Sequence, residues 1–224
     1  MNDNMVITIG RECGSGGRQI GMAVAKRMGV KCYDQELLTL AAKNSGLCED
    51  IFRNHDEKPV SSFLYSLVMD TYSLGYASSH YVDMPLNQRV FLAQFETIKK
   101  LASEESCVIV GRCADYALEG HPHLVTVFVC GNEEDKIPYL MKRYDIDAEK
   151  ARDQMIKTDK RRASYYNYYT NKKWGALQSY DLCLNSSAIG RERCVDMILD
   201  FAEAKEAYRK SGCKDDIGRL LDEK

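Results

Sequence analysis

What this 224-residue sequence lacks narrows it first. It has no long apolar run: the strongest, residues 124–130, falls well short of the roughly 20 residues that a membrane-spanning helix needs. The chain opens Met1-Asn2-Asp3-Asn4, without the basic start and apolar core of a signal peptide. It has no charge bias. Lys and Arg number 31 and Asp and Glu 33, a formal net charge of −2, so whole-chain electrostatics advertises neither a nucleic-acid nor a membrane partner. The nine cysteines, scattered from Cys13 to Cys213, form no CxxC pair and no disulfide framework. Several lie in apolar runs, where cysteine behaves as a small hydrophobe, so reduced thiols and a cytoplasmic location are expected. The four histidines (His55, His80, His121 and His123) lack zinc-ligand spacing, and no Ser-His-Asp or Cys-His arrangement can be argued.

What is present suits a soluble globular chain. Hydrophobic residues make up 45% and charged residues 29%, which argues against global disorder, and the length favours one domain with inserted lobes. Short apolar runs predict strands over 6–9, 107–110, 124–129 and 182–185, with a weaker one over 31–33. Such continuous runs suit strands buried on both faces, as in a parallel sheet. Helical spacing joins Ile20, Val24 and Met28, closed by Gly29, and then Leu37, Leu38 and Ala41. A longer stripe runs from Val90 and Phe91 through Phe95, Ile98, Leu101 and Ala102, with Asn87 as its expected N-cap. Pro138 sets the expected start of the next helix near Lys136, another begins at Asp147, and the last follows Ser186-Ser187, one of which is expected to cap it. Strands alternating with helices imply an α/β fold. Residues 56–86, rich in Ser and Tyr, and residues 147–180 break the alternation and read as insertions; the polar tail covers 211–224.

The most informative segment follows the first strand: Ile9-Gly10-Arg11-Glu12-Cys13-Gly14-Ser15-Gly16-Gly17-Arg18-Gln19. Four glycines in eight residues let the backbone turn tightly and aim several N–H groups at one spot, at the positive end of a helix. That is a phosphate cradle. Laid on the GxxxxGK[ST] pattern, Gly17 takes the second glycine, Arg18 the lysine place, Gln19 the Ser/Thr place, and Glu12 falls where the first glycine belongs. Arg18 keeps the charge as a planar fork, and Gln19 removes the hydroxyl that usually meets Mg²⁺. A dinucleotide fingerprint starting at Gly14 fails at Gln19.

Three further places carry chemistry. Asp34 follows the second strand, where ligands sit in open α/β sheets. It suits an acceptor-orienting base or a water-mediated Mg²⁺ anchor, and equally an N-cap for a helix over 35–43. Arg112, beside Gly111 past the third strand, suits a phosphate clamp, or else a surface pair with Asp115. Residues 157–174 hold six cations, one anion and five aromatics. They read as a lid bringing Arg161 or Arg162 onto a transferring phosphoryl group, as a stacking surface for single-stranded nucleic acid, or as a solvated helix whose tyrosines pack on the core.

In combination and in order, residues 7–21, Tyr33-Asp34, 108–115, 159–169 and 180–187 resemble the cytidylate-kinase-like family of P-loop proteins. The resemblance implies a P-loop NTPase-like parallel five-stranded sheet flanked by helices. It also implies one domain over 1–210, with a monophosphate-binding insertion (56–86) and a lid (147–180). It implies ATP-dependent phosphoryl transfer, with Mg²⁺, to a nucleoside monophosphate of the CMP or dCMP kind or a related small acceptor. Gly14, Ser15, Gly16, Gly17, Arg18 and Gln19 would hold the donor, Arg112, Asp115 and Asp159 the acceptor, and Arg18, Asp34, Arg161 and Arg162 would act in catalysis. The Arg18 and Gln19 replacements keep open a nucleotide-binding module without turnover. The segment 61–81 is an acceptor site or the surface of a homodimer.

Overall fold

A computed structural model gives the fold and describes residues 4–34, 36–45, 50 and 85–212. Strand β1 (Val6–Arg11) leads through the glycine loop into helix α1 (Gly17–Met28), followed by β2 (Lys31–Tyr33) and α2 (Glu36–Ser45). Helix α3 (Leu86–Glu104) precedes β3 (Cys107–Val110), the short α4 (Ala114–Ala117) and β4 (Leu124–Cys130). Then come α5 (Glu133–Tyr144), α6 (Ala148–Thr170), β5 (Leu182–Asn185), the short α7 (Ser186–Ile189) and α8 (Arg191–Ser211). The five strands form one sheet in the order β2-β3-β1-β4-β5, with every pairing parallel. All five predicted strands are present, two of them extended slightly.

Alternation along β1 explains why both sheet faces are covered. Ile7 and Ile9 turn to one face and pack with Ile20 and Val24 of α1, Val125 and Val127 of β4, and Val195 and Ile198 of α8. Val6 turns to the other and packs with Leu37 of α2, Ile98 and Leu101 of α3, and Ile109 of β3. A parallel sheet clad in this way aligns the C-terminal ends of its strands at one edge, and the loops that follow them share that edge.

Three helix starts differ from expectation. Helix α5 begins at Glu133, ahead of Lys136, and carries Pro138 inside it. Three acidic residues in its first turn favour the positive helix end, and a proline costs the ladder a single bond there. Helix α3 starts after Pro85, so Asn87 falls within the first turn. Neither serine caps the last helix. The Asn185 side chain accepts from the Ser187 N–H and caps α7, while α8 starts after Gly190. The helix expected from Asp147 is present, with the Asp147 carboxylate accepting from the Lys150 N–H. Residues 56–84 of the expected acceptor insertion and the tail beyond Gly212 lie outside the described residues.

The basic, tyrosine-rich segment is helical through Thr170, and its aromatic side chains face inward. Tyr165, Tyr166 and Tyr169 are buried with Phe91 and Leu92 of α3, and Tyr169 stacks on Phe91 with centroids 3.9 Å apart and planes 8° from parallel. Burial removes these three tyrosines as a stacking platform for single-stranded nucleic acid. No described helix is long and apolar enough to cross a membrane, and none of the seven described cysteines is in a disulfide.

Tyr169→Ala is expected to destabilise the protein by about 3 kcal/mol, the scale of emptying a buried aromatic site. Tyr208→Ala, at a residue half exposed on α8, should stay within about 0.5 kcal/mol. Urea unfolding of the two variants checks this; equal midpoints would contradict the packing.

Candidate active site: an arginine-lined cleft at the glycine loop

The glycine loop turns where side chains cannot fit. Gly14 and Gly16 sit at φ 85° and 82°, in the left-handed region that glycine occupies without strain. A Cβ on Gly14 would stand 2.9 Å from the Cβ of Lys136, and one on Gly17 would stand 2.5 Å from the Cβ of Arg11. The buried Ser15 fastens the turn internally: its hydroxyl donates to the Glu12 carbonyl at 2.9 Å and accepts from the Gly17 N–H at 3.3 Å. Glu12, at the place of the pattern's first glycine, ties the loop sideways. Its Oε2 accepts from Lys136 Nζ at 2.8 Å and from the Gly131 N–H at 3.2 Å.

Around this loop lies a cleft of about 430 Å³, and six arginines line it: Arg11, Arg18, Arg112, Arg143, Arg161 and Arg162. The lining carboxylates are Glu12 and Asp34, and both are already matched to cations. Asp34 sits between two guanidiniums. Arg18 Nε donates to its Oδ2 at 2.6 Å, and Arg112 Nη1 donates to its Oδ1 at 2.9 Å and to the Val110 carbonyl at 3.2 Å. Burial pushes the Asp34 carboxyl upward, but Arg112 first, then Arg11 and Arg18, outweigh it and hold it below the usual carboxylate range.

The turn after β3 has an unusual backbone. Gly111, Arg112 and Cys113 all have positive φ, at 76°, 54° and 54°. Arg112 and Cys113 therefore each carry strain, of a kind that persists only where the surroundings fix the conformation. The Arg11 side chain fills the space a Cβ on Gly111 would need, with its Cζ 2.8 Å from that point. The strained turn thus delivers Arg112, almost fully buried, to Asp34 and clears a channel for Arg11.

The long helix α6 closes the cleft from the far side. Asp159 Oδ1 accepts from the Cys13 N–H of the glycine loop at 2.7 Å. Burial raises the Asp159 carboxyl, against the opposing pull of that N–H and of Arg162. Arg162 Nη1 donates to the Arg11 carbonyl at 3.4 Å, while Arg161 is exposed at the rim.

Most of the residues singled out by sequence meet here. Gly14, Gly16, Gly17, Arg18, Gln19, Asp34, Arg112, Arg161 and Arg162 line one cleft, with Ser15 and Asp159 bracing the loop behind them. Asp115 stands apart. It does not form the surface pair with Arg112; its half-buried carboxylate accepts from the Tyr166 hydroxyl at 2.6 Å, beside a cavity of only about 20 Å³. Burial raises the Asp115 carboxyl. Sequence reading gave no role to Arg11, Lys136, Tyr139 or Arg143. Tyr139 and Arg143 lie one helical turn apart on α5, and that spacing was the available signal: Arg143 Nη1 donates to the Tyr139 hydroxyl at 2.8 Å, which also bonds the Gln19 amide.

A parallel sheet in this strand order, with a glycine loop joining its central strand to a helix, is the fold of P-loop kinases. A shikimate kinase from Bacteroides thetaiotaomicron has the same fold at TM-score 0.50 and 14% identity, covering 89% of this chain and 98% of that one. More narrowly, the chain belongs to the cytidylate kinase-like family, whose model matches residues 6–188. An uncharacterised protein from Eubacterium ventriosum is more similar in structure, with a TM-score of 0.68, 29% identity, and coverage of 89% of this chain and 99% of that one. No curated protein matches the sequence. Family and fold together support a kinase-type function on a nucleotide or another small molecule.

Asp34 gives a signed pH prediction. Its folded pKa lies below its unfolded value, so its pairing stabilises the protein above the ordinary carboxylate range and is lost as pH falls through the depressed value. Asp34→Asn should flatten the fall in unfolding free energy below about pH 4, measured by denaturant titration from pH 7 to pH 3. Parallel profiles for the two proteins would contradict the pairing.

Proposed function

We propose that this protein transfers the γ-phosphoryl group of ATP to a nucleoside monophosphate, of the CMP or dCMP kind, or to a related small acceptor. The observation that carries the reading is the convergence of six arginines on a glycine-loop cleft whose two carboxylates are already matched to cations. Such a cleft has surplus positive charge for phosphates on two substrates. On this reading, residues 1–210 form one kinase domain with an acceptor-binding insertion over 56–86 and a lid over 147–180.

The roles follow from position. The amides of the loop over 14–17 and the Arg18 charge hold the donor β- and γ-phosphates, with Gln19 beside them. Arg112 faces the acceptor phosphate; Asp159 braces the loop through the Cys13 N–H, and Asp115, bonded to Tyr166, acts on the acceptor side only through the turn that carries Arg112. Arg161 and Arg162 close over the transferred group, where charge spreads in the transition state. Asp34 stays ionised at neutral pH, so its contribution is to orient the acceptor and aim Arg18 and Arg112 rather than to collect a proton. Phosphoryl transfer is chiefly positioning and charge neutralisation, and this set of residues supplies both. The γ-phosphorus bond to the β-bridging oxygen breaks, a bond to an acceptor oxygen forms, and ADP leaves.

The glycine cradle fits a triphosphate; the cleft does not fit a protein-held Mg²⁺. Gln19 stands in place of the metal-binding hydroxyl, Glu12 and Asp34 are bonded to cations, and among the described residues no group of three His, Cys, Asp or Glu side chains could hold a metal. The binding of Arg18 to Asp34 and of Gln19 to Tyr139 also favours a second reading, a nucleotide-binding module without turnover.

The test is phosphoryl transfer from labelled ATP with Mg²⁺ to a panel containing CMP, dCMP and UMP, with ATP binding followed in parallel. Transfer to a pyrimidine monophosphate is the expected result, and Arg18→Ala should lower its rate on the order of 10²-fold. ATP binding without transfer to any acceptor would favour the second reading, and an unchanged rate in Arg18→Ala would remove Arg18 from the machinery.

A further inference from the structure

Most cations around the loop are committed: Arg18 and Arg112 to Asp34, Lys136 to Glu12, Arg143 to Tyr139, and Arg162 to the Arg11 carbonyl. Arg18 in particular, in the lysine place of the phosphate-loop pattern, is drawn toward Asp34. One more guanidinium reaches the loop from the other side. Arg191 is the first residue of α8, directly after Gly190 at φ 78°. It is exposed, and no ion pair or hydrogen bond of its side chain occurs among the described residues. Its Cζ lies 4.2 Å from the centroid of the Tyr139 ring, a cation–π stack. Its Nε and Cδ occupy the place where a Cβ on Gly16 would stand, the Cδ 2.7 Å from that point. Gly16 is therefore required here twice over, by its left-handed φ and by the side chain pressed against it.

The segment carrying Arg191 is fixed to the loop. The Ser186 hydroxyl is 2.7 Å from the Ser15 carbonyl and 3.0 Å from the Cys130 carbonyl, so α7 rests on the outer side of the turn. Tyr139, beneath the guanidinium, bonds the Gln19 amide. An exposed cation is thus held by three attachments within reach of the loop amides, and stacking on a ring face leaves the N–H edge of a guanidinium open to an anion.

We propose that Arg191 is a donor-phosphate-binding residue, pivoting on Tyr139 to pair with triphosphate oxygens held by the loop and supplying on that side the charge that Arg18 directs to Asp34. This rests on the reading of the loop as an ATP site. The family model ends at residue 188, so Arg191 lies outside the matched region.

The experiment is calorimetric titration of ATP, and separately of inorganic tripolyphosphate, into the full chain and into Arg191→Ala, Arg191→Gln and Arg191→Lys. Losing one charge-assisted contact should weaken both ligands about 10-fold or more in the Ala and Gln variants, with partial recovery in the Lys variant. Melting temperatures should change little, because an exposed cation–π contact contributes only about 0.5–1 kcal/mol. Wild-type binding retained within twofold in both Ala and Gln variants would overturn the role of Arg191 alone. So would weakened ATP with unaltered tripolyphosphate, which would place Arg191 against the base. A wild-type chain that binds neither ligand would overturn the donor-site reading itself, and this proposal with it.

Discussion

Three guanidiniums, those of Arg11, Arg18 and Arg112, crowd the C-terminal ends of β1, β2 and β3, and like charges at that range repel. Asp34 makes the crowding tolerable. It accepts from Arg18 with one oxygen and from Arg112 with the other, and Arg11 adds to the field that keeps it ionised. Arg112 is almost fully buried, so without this carboxylate it would be an uncompensated charge in a site of low dielectric. The strained turn at Arg112 and Cys113, the empty Cα face of Gly111 that admits Arg11, and the contact of Arg18 with Asp34 all belong to that arrangement. The cleft is preorganised for anions because its own carboxylates are saturated by cations, leaving a surplus of positive charge.

Helix α6 has two jobs in sequence space, and the structure separates them. Its C-terminal half is core: Tyr165, Tyr166 and Tyr169 anchor it to α3. Its middle reaches the site, where Asp159 takes the Cys13 N–H and Arg161 and Arg162 face the cleft. On the proposed reading, a phosphate in the loop would compete with Asp159 for that N–H, because an anion cradle has a limited set of donors. The basic, tyrosine-rich composition that reads as one unusual segment is thus a packed end joined to a charged middle.

The sheet was legible because buried parallel strands write themselves as unbroken apolar runs; β2, which opens on the exposed Lys31, gave the weaker signal. The glycine loop was legible for a similar reason: four glycines in eight residues have few other uses between a strand and a helix. What stayed hidden depends on distance in sequence. Arg191 meets Gly16 and Tyr139, and Lys136 meets Glu12, across separations that no local pattern encodes. The serines at 186–187 looked like caps because serine usually is one there, but the Asn185 side chain took that place and left the Ser186 hydroxyl to the Ser15 carbonyl. Asp115 looked like a partner for Arg112 by adjacency; the positive-φ turn between them sends the two side chains to different neighbours, Tyr166 and Asp34.

The central claim is that the loop amides and the arginines around Asp34 form one phosphate-binding site. Amide and guanidinium NMR spectra recorded during titration with a non-hydrolysable ATP analogue test it most directly. The account predicts that the largest shifts fall on the amides of residues 13–17 and on the Nε signals of Arg18 and Arg112, with the Cys13 amide moving as it exchanges Asp159 for phosphate. Saturable shifts confined to other parts of the fold, with residues 13–17 unmoved, would contradict it.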